Sequence, residues 1–297
     1  MLLDESANVE AGSSITAPLP ARIEGSVITL RWNHTDEQRT GRLCLENYLI
    51  PDVNRNVSPL LLKSVVQHWP ALDKWSLQWL AIAVRIAPSL RFTHVDPKLM
   101  QLYLLLFRPE QAPSMLVPAM SLQELRDRMD ERCQLPPLVY SEREYCYMQS
   151  PLWPAIMHDV DMTGAPFSCL TCPDDGKAEG LVERQVARMW LSPEGAVSPL
   201  HYDNNMSILT QVKGRKRLLL YRPQALKALQ PYPNWHILRR RCRVDPAHPD
   251  YKRFPAFERV AALEAVLEPG DSLVFPAKKL PGSLSSTLLQ QANAAGV

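Results

Sequence analysis

From Gln185 onward the chain is written as short apolar runs separated by turn residues, and that rhythm leaves few architectures open. Val186 to Leu191 reads as one strand and Met206 to Val212 as a second. Lys213-Gly214-Arg215 then reads as a turn into a partner strand, Lys216 to Tyr221, which predicts a hairpin with glycine at its tip. Glu268-Pro269-Gly270-Asp271 reads as another turn, leading into the strand Ser272 to Phe275.

The first half has a different texture. Residues 1 to about 25 read as a flexible arm without an apolar period. Leu60 to Val66 is a candidate strand ended by Trp69-Pro70. Ser76 is suited to cap a helix in which Leu77, Leu80, Ala81 and Val84 form one apolar stripe. Ser121 with Glu124 fits a capping box before a second helix, with Leu122, Leu125 and Met129 on one face. Residues 93 to 120 show no clean period. Short strands and tight turns after a helical segment imply a mainly β fold with flanking helices, a barrel or double-stranded β-helix of the jelly-roll kind.

Composition narrows the function classes. Thirty-three basic against 31 acidic residues give a net charge of +2, so nothing in the charge balance singles out nucleic acid as a partner. Arg239-Arg240-Arg241 reads as a solvated basic loop. Six cysteines in 297 residues make no disulfide scaffold. Cys169 and Cys172 form a CxxC without the second pair that a zinc ribbon needs. His158 and Asp161 lack a third metal-binding partner nearby, and Trp75 and Trp79 are spaced as core residues. No secretory leader or membrane span is visible, which gives the expectation of a soluble protein of the cytoplasm or nucleus.

The residues that carry chemistry are Ser198-Pro199-Leu200-His201-Tyr202-Asp203. On a strand, positions i and i+2 share a face, so His201 and Asp203 can converge on one metal ion. Two histidines and a carboxylate with open positions form the facial triad of non-haem Fe(II) oxygenases. Lys216, on the expected neighbouring strand, is a compact cation able to pair with a dicarboxylate.

Around these residues a resemblance becomes specific. The run from Met189 to Asp203 looks like the metal-binding core of the JmjC-type cupins, Fe(II)- and 2-oxoglutarate-dependent oxygenases, and most like the small JmjC hydroxylases that include factor-inhibiting HIF. Gln211 to Pro223, Tyr232-Pro233, Glu268 to Ala277, and upstream His68-Trp69-Pro70 with Lys74-Trp75-Ser76 extend it over roughly residues 45 to 278. The resemblance implies a double-stranded β-helix. It also implies His201 and Asp203 as iron ligands, Lys216 as partner of the distal 2-oxoglutarate carboxylate, Ser198 as a second contact to that carboxylate, and Tyr147 (Tyr145 as alternative) in the cosubstrate pocket. The reaction implied is oxidative decarboxylation of 2-oxoglutarate to succinate and CO2, coupled to hydroxylation or demethylation of a protein side chain, with histone- or tRNA-linked substrates open. Ser207 stands where many relatives carry asparagine.

The chain then departs from the pattern. The family's second metal histidine belongs a few residues after Phe275-Pro276-Ala277, at about Pro281, yet no histidine follows His248. His236 and His248 lie in loop-like sequence, poorly placed to substitute. The expected organisation is therefore an arm over 1–40, a mixed helical segment over 41–130, the barrel over 131–280 and an atypical tail over 281–297. The barrel is expected to be C-terminally truncated, with an unpaired sheet edge and a monomeric state. Two other readings stay open: a JmjC-like binding protein with impaired catalysis, and a cupin that binds a sugar or small metabolite without Lys216.

Overall fold

The computed structural model describes residues 22–31, 59–83, 124, 126–127, 148–163, 166–167, 187–191, 197–202, 207–236, 238–275 and 288–294. Its strands are β1 (Arg22–Ser26), β2 (Ile28–Arg31), β3 (Leu60–Lys63), β4 (Met148–Pro151), β5 (Arg188–Leu191), β6 (Val197–Tyr202), β7 (Ser207–Thr210), β8 (Arg215–Tyr221), β9 (Ala261–Leu267), β10 (Ser272–Phe275) and β11 (Leu288–Ala294). Three short α-helices lie wholly among the described residues: α1 (Ala71–Lys74), α2 (Leu77–Ala83) and α3 (Leu226–Leu229). One sheet runs β1-β9-β8-β11-β6, a second runs β2-β3-β10-β7, and β4 pairs with β5 as a separate ribbon.

The apolar residues on these strands sort into three layers. Leu218 and Leu220 of β8, Ala265 and Leu267 of β9, Leu61 of β3 and Leu273 of β10 belong to one cluster between the two large sheets. Along β8 the alternate residues Leu219 and Tyr221 turn the other way, into a cluster with Leu200, Tyr202, Cys242, Val244 and Phe257. On β3 and β10, Leu60, Leu62 and Val274 face a third cluster containing Trp69, Trp75, Leu80, Trp153 and Ile156. Both faces of β8 are thus covered, which explains its unbroken Leu218-Leu219-Leu220-Tyr221 run.

Two expectations are corrected here. The sequence predicted a hairpin of β7 and β8, but β7 pairs with β10 in one sheet while β8 pairs with β9 and β11 in the other. The turn at Lys213-Gly214-Arg215, with Gly214 at φ 66°, is a corner that carries the chain between sheets. A flat hairpin would have kept Leu209 and Leu218 within a single sheet, whereas the corner lets Leu209 pack from the other sheet against the interior cluster that contains Leu218. The second correction concerns the tail. The edge expected to stand unpaired is occupied by β11, antiparallel to both β6 and β8.

The stretch read as an arm also contributes structure. β1 adds parallel to β9 and β2 parallel to β3, so residues 22–31 link the two sheets. Between them Val27 is buried and its N–H donates to the Glu264 carbonyl at 3.0 Å.

The first half of the chain is described in part. Ser76 caps α2, its Oγ accepting from the Trp79 N–H at 3.0 Å. Glu124, Arg126 and Asp127 are helical, while Ser121, Leu122, Leu125 and Met129 lie outside the described residues. Trp75 is buried and its Nε1–H donates to Asp159 at 3.0 Å. His158 is exposed, and Asp161 accepts from the Thr163 N–H at 2.9 Å, an ordinary turn. Among the described residues no helix is long and apolar enough to cross a membrane.

Asp271 ties the second sheet to its loops. Only 3% exposed, it accepts from Lys63 Nζ at 2.5 Å, the Ser64 N–H at 3.0 Å and the Glu268 N–H at 2.9 Å. It follows Gly270, whose φ of 96° would strain any other residue and where a Cβ would strike the Gln67 side chain. Replacing Asp271 with alanine orphans these donors, so Asp271→Ala should lower unfolding stability by about 2–4 kcal/mol. Chemical denaturation checks this, and a loss under about 0.5 kcal/mol, the range of a neutral surface substitution, would contradict it.

Candidate cosubstrate and metal site

β6 carries the first part of the site, and a register shift decides which way its residues point. Leu289 of β11 pairs with His201, and Gln291 pairs with Ser198, so three residues of β6 span two of β11. This is a bulge at Pro199-Leu200. Proline has no N–H to give to a ladder, so the bulge is where β6 can accommodate one. Without it, Ser198 and His201 would face opposite ways, because side chains alternate along a strand.

The same β11 residues pair onward with β8, Leu289 with Leu220 and Gln291 with Leu218. Directly paired positions share a sheet face, and residues two apart on one strand share it too. His201, Ser198, Leu218, Leu220 and Lys216 therefore all occupy the face turned toward the other sheet. Leu200 and Tyr202 take the opposite face, into the outer cluster. Lys216 is thus not on a hairpin partner of β7, as the sequence suggested, nor on a strand beside β6. It lies across the intervening β11 and still shares the inward face.

His201 is half-buried, with Nδ1 2.8 Å from the Pro199 carbonyl oxygen. A carbonyl only accepts, so Nδ1 carries a proton and donates it, and in the neutral ring that leaves the lone pair on Nε2. That is the tautomer a metal-binding imidazole requires.

Lys216 is 6% exposed, and its ammonium makes no hydrogen bond or ion pair with any described residue. Burial pushes its ammonium down from 10.5 to about 8. Its neighbours show how such charges are ordinarily handled: Arg217 pairs with Glu264, and Arg215 pairs with Glu268 at 2.6 Å. A buried cation left without an anion is costly, and the cost is relieved when an anion arrives.

Asp203 and Tyr147 lie outside the described residues, as do Tyr145, Pro281, Cys169 and Cys172. Ser207 opens β7, half-buried and paired with Phe275 of β10. Neither later histidine has an arrangement that suggests a ligand. The His236 ring stacks on Tyr232 at 4.4 Å, and its Nδ1 accepts from the Leu238 N–H at 3.1 Å. His248 is exposed, with Nδ1 3.3 Å from Asp245. Among the described residues no three His, Cys, Asp or Glu side chains converge as a metal cluster.

One neighbour of the site was read in the sequence as part of a solvated loop. Arg239 and Arg240 are exposed, as a solvated loop would be, but Arg241 forms a β-bridge with His201. The bridge continues on both sides, with the Tyr202 N–H donating to Arg240 O and the Cys242 N–H to Leu200 O, each at 2.9 Å. Burial lowers the Arg241 guanidinium pKa. The signal was the alternation Arg241-Cys242-Arg243-Val244, in which Cys242 and Val244 are fully buried.

Comparison with known proteins agrees with this architecture. A cupin-like domain family model matches residues 52–278. Lysine-specific demethylase 8 of Xenopus tropicalis is 26% identical over 236 residues, covering 78% of this chain and 45% of that protein. Jumonji C domain-containing protein 5 of Drosophila melanogaster is 28% identical over 231 residues, covering 74% of this chain and 50% of that protein. The human bifunctional peptidase and (3S)-lysyl hydroxylase JMJD7 is 24% identical over 301 residues, covering 91% of this chain and 85% of that protein. The chain spans half or less of the length of the first two. With strands in two facing sheets and the Ser198-to-Lys216 constellation on their inner side, the chain belongs to the cupin-like domain family, in its JmjC branch.

Proposed function

We propose that this chain binds 2-oxoglutarate in the barrel interior and works as a JmjC-type oxygenase on a protein side chain, by hydroxylation or demethylation. One observation carries the reading: Lys216, buried and without an ion pair among the described residues, shares an inward face with Ser198 and His201. In this reading Lys216 holds the distal carboxylate and the Ser198 hydroxyl donates a second hydrogen bond to it. Leu218, Leu220 and Leu273 keep water from competing, which strengthens the ion pair.

The dicarboxylate fits these residues, whereas iron fits them incompletely. His201 offers Nε2, and Asp203 offers a carboxylate by its spacing. Within these 297 residues no histidine beyond His248 completes a third donor. The iron-dependent half of the activity therefore needs a donor this set does not supply. That shortfall favours a second reading, in which the barrel binds the dicarboxylate and turns it over poorly. Succinate release by purified protein given Fe(II), 2-oxoglutarate and O2 separates the two.

Binding itself is tested by calorimetry with 2-oxoglutarate. Lys216→Ala should weaken affinity at least about tenfold, the usual scale for losing a charge-assisted bond. The ligand selects the ammonium form, so affinity should be level below pH 8 and fall about tenfold per unit above it. Unchanged binding by Lys216→Ala would instead favour a cupin that takes a neutral metabolite.

The same ammonium sets a stability signature without ligand. Its folded pKa of about 8 lies below its unfolded value of 10.5, so the unfolded chain binds more protons between them. Stability should therefore rise as pH goes from 8 to 10.5, by on the order of 3 kcal/mol. Lys216→Met should be more stable than the parent at pH 7 and should lack that slope. Denaturant midpoints across this range check it, and an identical slope in Lys216→Met would contradict it.

A further inference from the structure

β11 fills the place in the sheet between β6 and β8, and its register fixes which residue type stands beside His201. Leu289 is the paired position, directly across from His201 on one side and from Leu220 on the other. Opposed residues of antiparallel strands have Cα atoms about 4.5–5.5 Å apart and emerge on one face. Position 289 is therefore where a donor from the strand next to β6 could reach an ion held by His201 Nε2. Counting along the sequence points to Pro281, but pairing in the folded sheet points to 289. The residue there is leucine, which has no donor atom. Positions 290, 291 and 293 of the same strand are Gln, Gln and Asn, neutral amides that bind divalent transition metals weakly. On the opposite side of β6 the paired position is Arg241, a cation that repels a metal ion. The two positions paired with His201, Leu289 on β11 and Arg241 at an isolated bridge, thus carry residue types that offer a metal ion no donor.

We infer that the C-terminal strand closes the barrel wall while placing leucine at the third-ligand position, so the chain keeps the dicarboxylate pocket and lacks a high-affinity metal centre. The strand takes over the structural duty of a barrel wall without the ligand duty. The inference deepens the second reading above, a barrel that binds the dicarboxylate and turns it over poorly, and it rests on His201 as the metal-facing imidazole and Lys216 as the dicarboxylate anchor. It adds that a single position separates this chain from a complete donor set.

Anaerobic titration with Co(II) alone tests it, because the visible absorption of Co(II) reports the number and type of donors independently of turnover. The parent chain should bind Co(II) weakly. Leu289→His should tighten binding at least about tenfold, with imidazole-type bands, since it adds one inner-sphere bond. Leu289→Ala should leave Co(II) affinity unchanged, and His201→Ala in the Leu289→His background should abolish the gain. Leu289→Glu and the smaller Leu289→Cys supply alternative donors if the imidazole unfolds the chain, with circular dichroism reporting folding. Two results would overturn the inference: no tightening in any folded donor variant, or parent affinity equal to that of Leu289→His. Calorimetry with 2-oxoglutarate on the same samples keeps the two ideas apart. Lost dicarboxylate binding in the parent would defeat the underlying reading, while an inert position 289 in a chain that still binds 2-oxoglutarate would defeat only this inference.

Discussion

A buried lysine ammonium, on the strand face that carries Leu218 and Leu220 and with no anion among the described residues, is the constraint on which the site depends. Folding tolerates such a group only at a cost, visible in the depressed pKa of about 8. The surrounding arginines do not bear that cost, because each outward-facing cation on β8 has a glutamate. Lys216 differs by facing inward. In the proposed reading, a bound dicarboxylate would turn that destabilising burial into recognition, since its carboxylate would meet a charge that water screens little.

The geometry that makes this useful is a matter of strand register. The bulge at Pro199-Leu200 rotates Ser198 onto the face of His201, and β11 relays that face to β8. The outer cluster depends on the same alternation, since Leu200 and Tyr202 must point outward to meet Cys242, Val244 and Phe257. One local irregularity therefore serves both the packing of the outer layer and the assembly of the inner site.

Much of this was legible beforehand because strand chemistry repeats at period two. β10 was read with its observed limits, β8 to within one residue, and Ser76 as a cap, since each depends on local sequence alone. The pairing of β7 was misread because a glycine turn between apolar runs looks the same in a hairpin and in a corner between sheets. Only long-range contacts, such as Leu209 with the interior cluster, distinguish the two. Arg241 was missed because a run of three arginines suggests solvent. The tail gave no warning of β11, since Leu288-Leu289-Gln290-Gln291-Ala292-Asn293-Ala294 has no β-branched or aromatic residue and gains its strand character from flanking partners.

The central claim is that the inward ammonium of Lys216 is the anchor for a dicarboxylate. NMR titration of a chain carrying 15N-labelled lysine follows that nitrogen directly, with Lys216→Arg assigning the signal. The account predicts a titration near pH 8 in the free protein, moving back toward the ordinary lysine value when 2-oxoglutarate is added. A Lys216 signal that titrates at 10.5 in the free protein, or that ignores saturating 2-oxoglutarate, would contradict it.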